Sequence, residues 1–355
     1  MTDAITQPSL FCAFRHAFRI GTAVSTRLIS VPENRELVLR HFNSLTADNQ
    51  MKPMFLLDRN ATLAQGDPCH AVLNFAPADA MLFFAKTAGI PLRYHTLVWH
   101  NQTSPWFFRE SWSDAEDAPF AARDVMLQRL RNYILDVMNH VNTCFPGTVY
   151  TWDVVNEAIE PDQHGPGLYR TRSPWFATLG TDFLPAAFRA AREGQAPGQT
   201  LCYNDYNAFD PVKRDAIITM LKKLQEEHLV DTMGMQGHYI LSHLDIAACE
   251  TAARAYAALG LKLQVTELDI HCTRNDEEGQ QELARAYGAL FRMLLGLCRD
   301  GIPVEAVTFW GLTDDDSWLT GFRKERSYPL LFSGDRQAKP AFSAVMDAAR
   351  AERDT

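Results

Sequence analysis

The sequence predicts an α/β chain closed into a single-domain (β/α)8 barrel of the TIM type. Three observations carry that expectation. Eight short β-branched or apolar runs recur along the 355 residues, each ending in polar residues; helical patterns lie between them; and no Gly-rich phosphate loop follows the first run. Strands alternating with helices read as a parallel sheet, and eight is the number that closes such a barrel. An open doubly wound sheet is the alternative, and the missing phosphate loop weighs against it.

Taken in order, the first run is Arg19–Val24 and the second is Ser44–Asp48, which leads into Asn49 and Lys52. A helical pattern over Asp79–Ala88 precedes the third run, Leu92–Trp99, which carries His95 and leads to His100. The long pattern Ala121–Val141 precedes Val149–Asn156, and Glu157 follows at its tip. Thr200–Tyr206 ends on Tyr206, and a helix is expected over Val212–His228. Gly234–Tyr239 carries Gln236 and His238, and the helix Ile246–Ala258 separates it from Lys262–Asp269, which bears Glu267 and Asp269. Finally Glu277–Cys298 reads as a helix before Ala306–Leu312, which includes Trp310. Apolar strand bodies tipped with ionisable, amide and aromatic residues are costly to explain as core. In such barrels the carboxyl ends of the strands carry the chemistry.

Composition narrows the partner. A formal net charge of −9 opposes nucleic acid or an anionic membrane, whereas a neutral polymer is compatible with it and with 11% aromatic residues. No apolar run reaches the roughly 18 residues of a membrane span. The start lacks the basic region, apolar core and cleavage site of a secretory signal, because Arg15, His16 and Arg19 interrupt it. Seven scattered cysteines show no CxxC pair, so reduced thiols and a cytoplasmic location are expected unless an export signal has been removed.

Two carboxylates stand out. Glu157 closes Val149–Glu157, and Glu267 sits in Leu263–Asp269. Hydrolysis of a glycosidic bond needs two carboxyls, one to protonate the leaving oxygen and one to attack or to activate water. Strands four and seven lie nearly opposite in an eight-stranded barrel, so the pair is expected to face across its mouth. Asn156 is placed to reach a sugar hydroxyl. His238 and Asp269 suggest a chain that orients Glu267, while Glu157 in less polar surroundings keeps its proton. Trp99, Trp106, Tyr206, Trp310 and Trp318 fall in or just after strand ends, where indoles stack on the C–H faces of sugars. A metal is not expected: neither HxH after the first strand nor HExxH occurs, although His95, His100, His238 and His271 lie on several strands.

These segments resemble glycoside hydrolase family 10, the endo-β-1,4-xylanases. FNSLTADNQMKP (Phe42–Pro53) is similar to the family's Asn-x-x-Lys segment, and RYHTLVWHNQTSPW (Arg93–Trp106) to its His-x-Leu-x-Trp-His stretch. YTWDVVNEA, LCYNDYN, GMQGH, VTELD, TFWG and KPAF follow in the family's order, so the resemblance runs from about Phe18 to Phe342. It implies a retaining (β/α)8 enzyme acting without a cofactor, with Glu157 as acid/base and Glu267 as nucleophile. It also implies that Lys52, His95, Asn156, Gln236, His238 and Trp310 hold the sugar at the reacting bond. Asn49, Gln102, Tyr206 and Trp318 match positions at neighbouring sugars, Trp99 is expected among the substrate-binding residues, and His100 and Asp269 match supporting positions. The expected partner is xylan or a xylo-oligosaccharide, with no nucleic acid or membrane, and residues 1–355 would form one catalytic domain with peripheral ends.

Two departures are visible. Asp48 stands where the family usually has Glu, which loosens a more distal sugar contact, and Ser333 replaces a common acidic residue. The run Gln163–Thr171 has no assigned role. With no carbohydrate-binding module or export signal recognised in it, the sequence resembles the family's intracellular members, which process short, sometimes glucuronic-acid-decorated oligosaccharides. The competing readings are a barrel glycosidase of another β-1,4-glycan specificity and a catalytically inactive sugar-binding barrel.

Overall fold

The computed structural model describes residues 2–353, so the expected domain bounds at 1 and 355 lie outside the described residues. The chain forms two compact units. One comprises residues 2–48, 206–210 and 233–353, and the other residues 49–205 and 211–232.

Eight strands match the eight expected runs: β1 (Arg19–Val24), β2 (Ser44–Ala47), β3 (Leu92–Tyr94), β4 (Val149–Asn156), β5 (Thr200–Asp205), β6 (Thr232–Met235), β7 (Lys262–His271) and β8 (Val304–Phe309). Their bodies are buried on successive residues, as expected of strands covered on both faces. In the first unit β7 pairs parallel with β8, β8 with β1, and β1 with β2, in the registers Val265↔Val307, Phe309↔Thr22 and Val24↔Ala47. Gly21 is required there. A Cβ at this position would lie 2.7 Å from Thr308 Oγ1, so only glycine lets β1 approach β8 this closely.

The helix Glu277–Arg299 shows how the outer layer of this unit forms. Asp276 accepts a hydrogen bond from Gly279 N, Glu277 and Glu278 occupy the first turn, and Arg299 closes the last, all favourable to the helix dipole. Leu283, Tyr287, Leu290, Phe291, Leu294 and Leu297 recur at helical spacing and are buried. Phe291 lies 5.2 Å from the ring of Phe14 and 6.0 Å from that of Phe309 on β8. Of the ten amino-terminal residues expected at the periphery, Ala4 and Leu10 are fully buried. Thr2–Asp3 pairs antiparallel with Gln337–Ala338, and the ring of His41 bonds Ala4 O. Burial pushes His41 down to about 4, so its neutral ring serves this contact.

In the second unit β3, β4 and β5 pair in parallel, in the registers Tyr94↔Trp152 and Asn156↔Asn204. The expected third run is not continuous. β3 ends at Tyr94, and Val98–Trp99 rejoins β4 with Trp99 opposite Asn156. Between them Thr96 Oγ1 and Leu97 N both donate to the carbonyl of Asp153, each at 2.9 Å. The expected sixth run is interrupted too, into β6 and His238–Ile240, the latter paired with the end of β7. Gly237, at φ +83°, sits in that gap, and its carbonyl accepts from Asp269 N while that of Gln236 accepts from Glu267 N. Among the described residues no helix is long and apolar enough to cross a membrane.

Candidate active site

In the second unit the strand ends gather around Glu157. β4 delivers it one residue past its end, in a left-handed conformation with φ +57° that non-glycine residues rarely adopt. Glu157 N donates to Asn204 O. Its carboxyl accepts from the indole N–H of Trp99 at 2.9 Å and from the Asn156 amide at 3.3 Å. Asn156 is oriented in turn, because its Oδ1 accepts from Asn204 Nδ2 at 3.0 Å. His100 Nδ1 stands 3.8 Å from Glu157 Oε2, too far for a hydrogen bond. Burial, followed by the nearby Arg170 cation, pushes His100 down to about 3, so this ring is uncharged at neutral pH.

Lys52, Asn49 and Gln102 form a second cluster in the same unit. Asn49 Oδ1 accepts from Lys52 Nζ at 3.0 Å and from Gln102 Nε2 at 3.1 Å. The Lys52 ammonium also lies 5.1 Å from the centre of the Trp99 ring. His95 is buried with its Nδ1 2.9 Å from Asp153 Oδ2, and the other Asp153 oxygen takes a 2.5 Å bond from Arg93. Asp153 was not among the expected site residues. Its signal was an ionisable residue inside an otherwise apolar strand. Trp106 is not a sugar platform: it is buried against Phe107 and Trp112, the usual fate of an indole flanked by aromatics.

In the first unit β7 delivers Glu267 and Asp269 to the same face, two residues apart. His238 bridges them, with Nδ1 2.9 Å from Asp269 Oδ1 and Nε2 3.1 Å from Glu267 Oε2. Burial would lower the histidine, but Asp269 and then Glu267 outweigh it and raise it to about 10. His238 is therefore a cation at neutral pH that donates to both carboxylates. The remaining Asp269 oxygen accepts from Trp318 Nε1 at 2.9 Å, fixing that indole 5.0 Å from the His238 ring. Trp310 meets the same ring edge-on at 6.3 Å. Gln236 is buried and contributes its carbonyl to Glu267 N, and Tyr206 lies half-buried just past β5. Trp310 and Trp318 line an open groove together with Arg27, Asn34 and Asp48, the position of the noted departure.

His271, weighed earlier as a possible metal ligand, instead contacts Ser327 Oγ at 2.9 Å and Glu325 at 3.2 Å. Arg170 and Tyr203, which bond the two groups of the peptide that follows Glu157, were also not foreseen.

Residues 9–348 match the sequence model of glycosyl hydrolase family 10. An endo-1,4-β-xylanase B of Butyrivibrio fibrisolvens is 42% identical over 345 residues, covering 96% of this chain and 53% of that protein. The chain thus spans about half of that relative, and 30% of a Thermotoga maritima endo-1,4-β-xylanase A that is 37% identical. An endo-1,4-β-xylanase B of Paenibacillus barcinonensis, 35% identical, is covered to 98% of its length. Among solved structures, the CBM22-1–GH10 modules of a Clostridium thermocellum xylanase, complexed with xylohexaose, superpose with a TM-score of 0.88 at 31% identity. They cover 98% of this chain and 69% of that one. An intracellular xylanase from Thermoanaerobacterium saccharolyticum, solved with xylotriose, reaches 0.83 at 33% identity over 96% of this chain and 98% of that one. Likeness of this extent makes the fold a (β/α)8 barrel, and the chain belongs to glycosyl hydrolase family 10.

Proposed function

We propose that this chain is a retaining endo-1,4-β-xylanase in which Glu157 is the acid/base and Glu267 the nucleophile. The observation that carries the reading is the contrast between the two carboxyls. Glu157 is held by uncharged donors, the Trp99 indole and the Asn156 amide, with a neutral His100 nearby. Glu267 is bonded to the His238 cation. A cation bonded to Glu267 suits a carboxylate that attacks, which leaves the proton transfer to Glu157.

In the first step the Glu157 proton passes to the glycosidic oxygen as the bond from that oxygen to the anomeric carbon breaks. A Glu267 oxygen bonds the same carbon from the opposite face. Water then displaces Glu267 while Glu157 takes back a proton, which restores the starting configuration. Asn156, Lys52, His95, Gln236 and Trp310 serve the sugar at the reacting bond. Asn49, Gln102, Tyr206 and Trp318 serve its neighbours, and Trp99 is a further substrate-binding residue. Residues 1–355 act as one catalytic domain.

The natural substrates are short xylo-oligosaccharides, including glucuronic-acid-decorated ones, hydrolysed in the cytoplasm. Similarity to an intracellular xylanase supports this. A relative named a thermostable celloxylanase, 36% identical over 371 residues, makes β-1,4-glucan the second reading.

The test is turnover of xylotetraose and cellotetraose by the wild type and by Glu157→Ala and Glu267→Ala. A general acid contributes about 10²–10⁴-fold, so each variant should lose at least about 100-fold on xylotetraose while staying folded. Near-normal turnover by either variant would sink the assignment of that residue. Faster cleavage of cellotetraose would move the substrate to β-glucan.

A further inference from the structure

The segment after Glu157, which carries the run without an assigned role, folds back on the strand that delivers this glutamate. Ile159 and Tyr169 form an antiparallel bridge, Glu160 N donates to Leu168 O, and Arg170 N donates to Ala158 O. The fold-back places the Arg170 side chain, only 11% exposed, beneath Glu157. Its Nε donates to the Glu157 carbonyl at 3.0 Å, while Nη2 is paired with Glu160 Oε2 at 2.9 Å. On the next peptide, Ala158 N donates to the hydroxyl of Tyr203 at 3.1 Å. That hydroxyl donates to buried Asp205, which is paired with Lys213 at 2.8 Å. The two groups of the peptide joining Glu157 to Ala158, its carbonyl and its N–H, are therefore each held by a side chain anchored in turn, Arg170 by its ion pair with Glu160 and Tyr203 by the Asp205 of a buried ion pair.

This matters because Glu157 sits at φ +57°. Such a conformation is unfavourable in a non-glycine residue and persists only where surrounding structure over-determines it. Relaxing it would swing the carboxyl away from the Trp99 and Asn156 donors.

We propose that Arg170 and Tyr203 are positioning residues for the acid/base: they clamp the strained peptide that aims the Glu157 proton at the leaving oxygen. This rests on the reading of Glu157 given above. Neither residue needs to touch the sugar. Their contribution is specific to proton delivery, because the clamp acts on the peptide that carries Glu157.

Leaving-group dependence tests this directly. A dinitrophenolate departs without protonation, whereas a sugar alkoxide does not. The kcat/KM, which reports the first bond-breaking step, is measured for Arg170→Lys, Tyr203→Phe and Glu157→Ala on xylotetraose and on dinitrophenyl β-xylobioside. Misplacing a catalytic group by about 1 Å can cost about 100-fold. Arg170→Lys and Tyr203→Phe should each lose about 10–100-fold on xylotetraose but no more than about 3-fold on the aryl glycoside, a smaller version of the Glu157→Ala pattern. Should one variant fail to fold, which circular dichroism would show, the other carries the test.

Equal losses on both substrates would make the clamp merely structural and overturn the proposal, as would undiminished xylotetraose cleavage. If Glu157→Ala itself shows no difference between the substrates, the reading of Glu157 as acid falls, and the clamp with it.

Discussion

The charge on His238, which is bonded to Glu267, has a consequence for stability. Burial works against protonation, yet Asp269 and then Glu267 lift the group from 6.5 to about 10. Between those values the folded protein holds a proton that the unfolded chain has released, so stability falls as pH rises. The contribution is fully present below about pH 6.5 and gone above about pH 10. The melting-temperature gap between wild type and His238→Gln should therefore narrow steadily from pH 6 to pH 10 in calorimetry. A gap that stays constant or widens would show that the histidine is neutral when folded. Asp153 offers a second test at this scale. It is fully buried between Arg93 and His95, and removing one partner of a buried pair costs about 3–5 kcal/mol, so Asp153→Ala should lower the urea-unfolding free energy by that amount. The two glutamates and His238 were legible in the sequence because each ends or follows a recognisable apolar run. Arg170 was not, because its role comes from a fold-back that only the three-dimensional path of the chain reveals.

Among the elements, the eight runs were readable because strands buried on both faces are written as continuous apolar stretches. The bounds of the long helices came within a few residues for a similar reason, since a stripe at helical spacing ends where its caps stand. What escaped were the interruptions after β3 and β6. An apolar run looks the same whether it hydrogen-bonds throughout or turns aside at a carbonyl such as that of Asp153. Those interruptions place His95 and the pair Gln236 and His238, so local irregularity and site chemistry coincide. The regular elements make the more conventional prediction. Phe291 is fully buried beneath β8 with aromatic neighbours on several sides, and Phe291→Ala should cost about 3–5 kcal/mol in urea unfolding with little change in kcat/KM. A loss below about 1 kcal/mol would mean that the cluster closes over the cavity.

For the whole molecule, composition weighed against highly charged partners but could not name a family. The ordered series of motifs, and then the match over residues 9–348, did so. Asp48, one of the two departures from the family pattern, lines a groove with Trp310 and Trp318 and is where specificity should differ from relatives with glutamate there. A catalyst with one protonated and one ionised carboxyl should also show a bell-shaped dependence of kcat/KM on pH, and a flat profile from pH 4 to 9 would contradict that assignment. Double displacement by Glu157 and Glu267 is tested by proton NMR of xylotetraose hydrolysis followed from the earliest seconds. Internal cleavage should release the β-anomer of the new reducing end first, with the α-anomer growing in only by mutarotation. The α-anomer appearing first would mean inversion by directly activated water and would rule out a Glu267 nucleophile.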